Sequence, residues 1–169
     1  MGLKVKDSPA MKELFKAISR LDKTRVLVGI PAEKAGRDDG SPLNNAEIGY
    51  IQEFGAPEQN IPARPFLIPG VAGAKEKFTP HLKAAAKLAL SGKVENIDVP
   101  LHRAGLVAQN AVHNKIEQGP FVPLAPATLY KRKHRKEAPR DGEKPLIDKG
   151  ELLRSVTYVV TQRRKGDDL

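Results

Sequence analysis

The side chains that could do chemistry in this chain are scattered, and their spacing decides what they can form. His81, His102, His113 and His134 are the only histidines, and cysteine is absent. His102 and His113 lie about three helical turns apart, so they share a helix face yet cannot chelate one ion. No carboxylate stands beside them at ligand spacing, and solvated or capping roles account for them. Gly70-Val-Ala-Gly-Ala-Lys75 has two residues between its glycines and Glu76 after the lysine. A phosphate-binding loop needs four, and then Ser or Thr, so this reads as a loose helix start. Asp38-Asp39-Gly40 lacks the alternating ligands and final glutamate of a calcium loop and reads as a turn. Ser155 has no inferable histidine and carboxylate partners, and Gly-x-Ser-x-Gly is missing. Glu47, Glu53 and Glu58 could be imagined as an acid/base pair, but capping and solvation explain them more cheaply. These residues assign no catalytic, cofactor-binding or metal site.

Charge gives the strongest electrostatic signal. Formal net charge is +9, which fits a nucleic-acid, membrane-surface or acidic-protein partner. The run Lys131, Arg132, Lys133, His134, Arg135, Lys136 is the densest basic segment. Its Lys and Arg side chains are candidates for an anionic partner, because they could neutralise phosphates and release counterions. Only Tyr130 and His134 could stack on bases there, so non-specific contact with DNA, contact with an acidic protein, or a solvated loop all remain open.

The elements that must position these residues follow from pattern. A length of 169 residues suits one domain, 1–169, with a real core. Hydrophobic content is 40% but aromatic content only 5%, without Trp, so Leu, Ile, Val and Ala must build that core and helices suit it best. No apolar run reaches the roughly 20 residues of a membrane span, so no membrane partner is expected. Met1-Gly-Leu-Lys-Val-Lys6 lacks the apolar centre of a signal peptide, and position six is not the Ser or Thr of a myristoylation site.

Ser8-Pro9 caps a first helix whose apolar face is Met11, Leu14, Phe15, Ile18 and Leu21, ending near Asp22. Thr24–Ile30 reads as a strand. Residues 31–43 form a long polar loop. Asn44 and Glu47 make a capping box for a short helix, with Ile48, Ile51 and Phe54 as its apolar side and Gly55 as a left-handed stop. The prolines of 56–67 exclude helix and central strand. A helix follows from about Pro69 to Ser91, kinked at Pro80. A second long helix starts at Asp98 and buries Leu101, Ala104, Ala108, Ala111, Val112 and Ile116. Residues 119–147 are irregular, apart from a short helix around Ala127 to His134. Asp148 is placed to cap a one- to two-turn helix, and Ser155–Thr161 reads as a strand. The tail 162–169 looks frayed. The fold class is α+β: several helices, two long and one kinked, on a small β-sheet, with long irregular loops. Two strands alone make a marginal sheet, so they pair with each other, with a further short strand, or with a neighbouring subunit.

Three islands stand out in order: Ile48-Gly-Tyr-Ile-Gln-Glu-Phe-Gly55, Asn60-Ile-Pro-Ala-Arg-Pro-Phe-Leu67 and Lys144-Pro-Leu-Ile-Asp-Lys-Gly-Glu-Leu-Leu-Arg-Ser155. With Val26–Ile30 before them and Pro123–Leu129 between, the pattern covers roughly residues 24–160. It resembles the neck or tail-completion (head–tail joining) family of long-tailed bacteriophages, which has relatives of the lambda minor tail protein Z type. Lys149 stands where that family usually has Thr or Ser, and Ile68 where Arg is common. The resemblance implies a non-enzymatic virion subunit without cofactors, partnered by other neck and tail proteins. It implies a homo-oligomeric ring, expected to be six-fold, in the particle, and a host-cytoplasmic location during assembly.

The residues themselves offer one interface expectation. Pro62 and Pro65 pre-extend the 60–67 arm, so Arg64, Pro65 and Phe66 are the subunit-interface candidates. Phe66 would be an apolar anchor and Arg64 a two-pronged donor. The alternative is that Phe66 fills the chain's own core. The rival functional class is a basic nucleic-acid-binding protein, and a third is an unrecognised hydrolase.

Overall fold

The computed structural model describes residues 8–37 and 41–163. In chain order these form α1 (Pro9–Lys23), β1 (Thr24–Gly29), α2 (Ala32–Ala35), α3 (Asn45–Phe54), α4 (Leu67–Gly73), α5 (Lys75–Leu90), α6 (Asp98–Gln118), α7 (Pro126–His134), α8 (Glu151–Ser155) and β2 (Thr157–Gln162). The fold is α+β, with the two strands paired in one small sheet. The Arg163 amide donates to the Lys23 carbonyl, so the end of β2 lies beside the start of β1 and the pair is antiparallel. Asp38-Asp39-Gly40 and most of the 162–169 tail lie outside the described residues.

The chain divides into two compact units. The first contains Met1–Leu27, Ala74–Ala108 and Tyr158–Leu169. Its helix α1 starts as the Ser8-Pro9 pair dictates: the Ser8 hydroxyl accepts from the Met11 amide at 3.2 Å, with proline at the first helical turn. Ala17 of α1, Ala85 and Ala89 of α5, and Ile97 and Leu101 make the core, with Leu21, Val26, Leu88 and Val160 packed around it. Small alanines let α1 and α5 approach closely. A close approach also explains Gly105 of α6, where any Cβ would collide with the Tyr158 ring.

The second unit contains Val28–Gly73 and Gln109–Thr157. Phe66, Val112, Ile116, Leu146, Ile147, Leu152 and Val156 form its core. Each of the three sequence islands lies in this unit, and Phe66, Leu146, Ile147 and Leu152 bring two of them into one core. Gly49, from the other island, lies against Phe66 and Leu152.

Several local expectations need correction. The expected helix from Pro69 to Ser91 is two helices, broken at Ala74. Gly70 and Gly73 weaken the first of them, whereas Pro80 sits inside α5 without ending it. The loop at 31–43 contains the single turn α2. Gly55 has positive φ (79°) but extended ψ (172°), which is not the left-handed helical region. A Cβ there would come within 3.0 Å of the Ala63 amide nitrogen and the Ile61 carbonyl, so Gly55 lets the arm fold back against α3. Asp148 does not cap α8; Gly150 occupies that position.

The largest correction concerns the arm. Phe66 is only 1% exposed, and Arg64 only 6%. Neither projects from the chain, and of the three interface candidates only Pro65 is exposed. The arm is extended by its prolines, but extension alternates its side chains, and the even positions Arg64 and Phe66 point inward. Phe66→Ala should therefore cost the isolated chain about 3–5 kcal/mol of unfolding free energy, measured by urea denaturation. A loss below about 1 kcal/mol would mean that the ring is dispensable to this core.

Candidate functional site

The second unit is organised around a buried carboxylate. Glu53, 6% exposed, lies in the last turn of α3. Its Oε2 accepts the Phe66 and Leu67 amides at 2.7 and 2.8 Å, and its Oε1 accepts the Ile68 amide at 3.0 Å. The first amides of a helix have no partner within it, so Glu53 supplies acceptors to the start of α4 from another helix. Arg64 completes the clasp. Its amide donates to the Gln52 carbonyl, and its guanidinium donates to the carbonyls of Val122 (2.8 Å) and Pro123 (3.1 Å) and to Gln52 Oε1 (3.3 Å). Burial lowers the Arg64 pKa from its ordinary value.

This clasp inverts α3. Its buried residues are Asn45, Gly49 and Glu53, spaced by four and therefore on one face. The expected apolar side of Ile48, Ile51 and Phe54 is not the buried one: the two isoleucines are half-buried and Phe54 is 56% exposed. Tyr50 (67%) and Ile68 (59%) are exposed with it. The Tyr50 and Phe54 rings lie 4.8 Å apart. Together with Ile68 they rim an apolar cavity of about 330 Å³ whose other walls include Gly49, Phe66, Leu67 and Val156. Reading the apolar residues for helical period missed this surface. The period-four series Asn45, Gly49, Glu53 was its visible signal.

The basic run separates into two kinds of side chain. Arg135 forks onto Asp148 with bonds of 2.7 and 2.9 Å. Arg132 donates to the carbonyls of Lys144, Ile147 and Pro145 at 3.1–3.3 Å, and Arg140 donates to the Asp148 carbonyl. Arg132 and Arg135 are therefore ties to the loop before α8, and they are withdrawn from the anionic-partner set. Burial is the main cause that lowers the Arg132 pKa. The bond to Asp148 raises that of Arg135. Lys131, Lys133 and Lys136 remain exposed, and Lys133 pairs with Asp141 at 3.2 Å.

Most of the other candidates are held by neighbours. His113 Nε2 bonds the Val156 carbonyl at 3.0 Å, His134 Nδ1 bonds the Tyr130 carbonyl at 2.9 Å, and His102 Nδ1 meets the Tyr158 hydroxyl at 3.3 Å. The Ser155 hydroxyl donates to the Leu152 carbonyl. Glu47 completes the capping box with Asn44, and Glu58 is exposed. Among the described residues no group of three or more His, Asp or Glu side chains could hold a metal. No helix there is long and apolar enough to cross a membrane. What this unit can do chemically is present an apolar, aromatic-rimmed hollow on a rigid support.

Asp148 gives a titration test of the second tie. Its bond from Arg135 holds its pKa below the ordinary 3.8. A depressed folded pKa contributes stability that is complete above the unfolded value and is lost as pH falls through the folded one. Asp148→Asn should lower the melting temperature at neutral pH. The gap to the unsubstituted chain should close as pH drops below about 3.8. A gap that stays constant into acid would assign the loss to packing instead of charge.

Comparison with known proteins returns no match to any family model, curated protein or solved structure.

Proposed function

We propose that the chain is a structural subunit of phage virion assembly at the head–tail junction, forming or completing a ring of the neck or upper tail. The observation that supports this reading best is the exposed patch of Tyr50, Phe54 and Ile68. It is positioned by a clasp made from the same islands that carry the family resemblance. Exposed aromatic side chains set together over a hollow mark interaction surfaces, and aromatic residues are enriched at the centres of protein interfaces. The reading makes the chain non-catalytic: Glu53 and Asp148, the carboxylates in its most ordered networks, are committed to backbone amides and to arginine. It places the protein in the virion neck or tail, with other neck and tail proteins as partners, and in the host cytoplasm before assembly.

The test substitutes the rim and leaves the core alone. Tyr50→Ser with Phe54→Ser should leave the isolated chain folded, with a melting temperature within a few degrees of the unsubstituted one. In the phage that encodes it, the same double variant should yield filled heads and separate tails by electron microscopy. Normal numbers of joined particles would sink the proposal.

The ring is expected to be six-fold, on the family resemblance alone, and to form only on the particle. Sedimentation of the purified chain at micromolar concentration should show a monomer. A stable closed ring in dilute solution would show that assembly needs no template.

A further inference from the structure

The distribution of charge between the two units is uneven. Among the described residues the first holds 12 Lys and Arg against 5 Asp and Glu, net +7, and the second holds 13 against 10, net +3. The segment with the densest basic sequence therefore belongs to the less charged unit. There, Asp141 and Asp148 pair with its cations. The excess lies in α1 and α5 and the segments around them.

On α1 the excess has a pattern. Lys12, Lys16 and Lys23 are exposed, with Ser19 between the last two. Steps of four, three and four keep these positions on one face. The stripe is about 16 Å long at 1.5 Å per residue. Glu13 and Asp22 flank it without entering it. The opposite face, Leu14, Ala17 and Leu21, is turned to the interior, with Ala17 fully buried. α5 adds exposed Lys75, Lys77, Lys83 and Lys87 to the same unit.

The choice of cation narrows the partner. Arg20, Arg37, Arg64, Arg132, Arg135 and Arg154 each bind a carboxylate, amide or carbonyl oxygen within the chain. The exposed stripe is lysine alone. Arginine's fork suits individual carboxylates in fixed geometry, whereas lysine is a mobile point charge. A row of point charges suits the evenly spaced phosphates of a nucleic-acid backbone, which recur about every 3.4 Å per strand, and the half-exposed Phe15 beside it is the one aromatic side chain of α1.

We propose that the α1 lysine stripe is a sequence-independent binding surface for the phosphate backbone of duplex DNA, and that the 131–136 run is not. This rests on charge placement and stands apart from the virion reading. The experiment measures fluorescence anisotropy of a labelled mixed-sequence duplex of about 20 base pairs, with salt rising from about 50 to 200 mM. The unsubstituted chain should bind with steep salt dependence. Lys12→Gln, Lys16→Gln and Lys23→Gln together should weaken binding at low salt by at least about tenfold. The slope of log Kd against log salt should fall by about 2–3, near 0.9 per lost contact. The matched control, Lys131→Gln, Lys133→Gln and Lys136→Gln, should change affinity less than about threefold, and both variants should melt like the parent. Any of three results would overturn the proposal: absence of salt-dependent binding, an equal or larger loss in the control, or displacement of the duplex by polyglutamate at equal charge concentration, which would indicate an acidic protein partner.

Discussion

Three backbone amides need an acceptor where α4 begins, and Glu53 supplies it. Left without a partner, the buried amide of Phe66 would cost about 1–3 kcal/mol, and the part-buried amides of Leu67 and Ile68 would add to that. An ionised carboxylate can accept all of them, and each charge-assisted bond is stronger than a neutral one. That single requirement sets the orientation of α3. The helix must present Glu53 inward, and Asn45 and Gly49 follow because they share its face. Gly49 leaves room for the Phe66 ring, Leu152 and Ile30 in the same place. Phe54, expected on the apolar side, is left at the surface beside Tyr50. The exposed patch is thus a consequence of how the arm is held.

Arginine does the matching work for carbonyl groups. Arg64 ties the arm to Val122 and Pro123, and Arg132 ties α7 to the loop at 144–147. Regions 119–125 and 135–150 have little regular structure to pair their carbonyls, and a planar fork of five donors meets several at once. Asp148 beside Arg132 and Arg135 offsets the charge so gathered. Arg64 of the 60–67 island and Asp148 of the 144–155 island are thereby explained as structural ties between segments.

Much of the secondary structure was legible locally. Ser8-Pro9, the Asn44–Glu47 box and the Leu101 to Ile116 stripe state their helices in adjacent residues, and the β-branched runs before Gly29 and after Ser155 state the strands. The side of the arm on which Phe66 lies was open between a neighbour and the chain's own core, because two prolines determine that a segment is extended, not which of its alternating faces meets the core. A cap is the nearest use for an aspartate before a helix, and Asp148 has a more distant one. Its actual partner, Arg135, is thirteen residues away, and only folding brings the two together.

The α+β class, the residues that start and stop most helices, and the total positive charge can all be read along the chain. Each depends on propensity, on spacing within a few residues, or on a simple count. That α3 buries its polar face, and that Arg132 and Arg135 are internal ties, followed from folding alone. These are outcomes of hydrogen-bond demand and ion pairing between segments far apart in the chain. A periodicity of apolar residues carries no record of where a distant amide will need an acceptor.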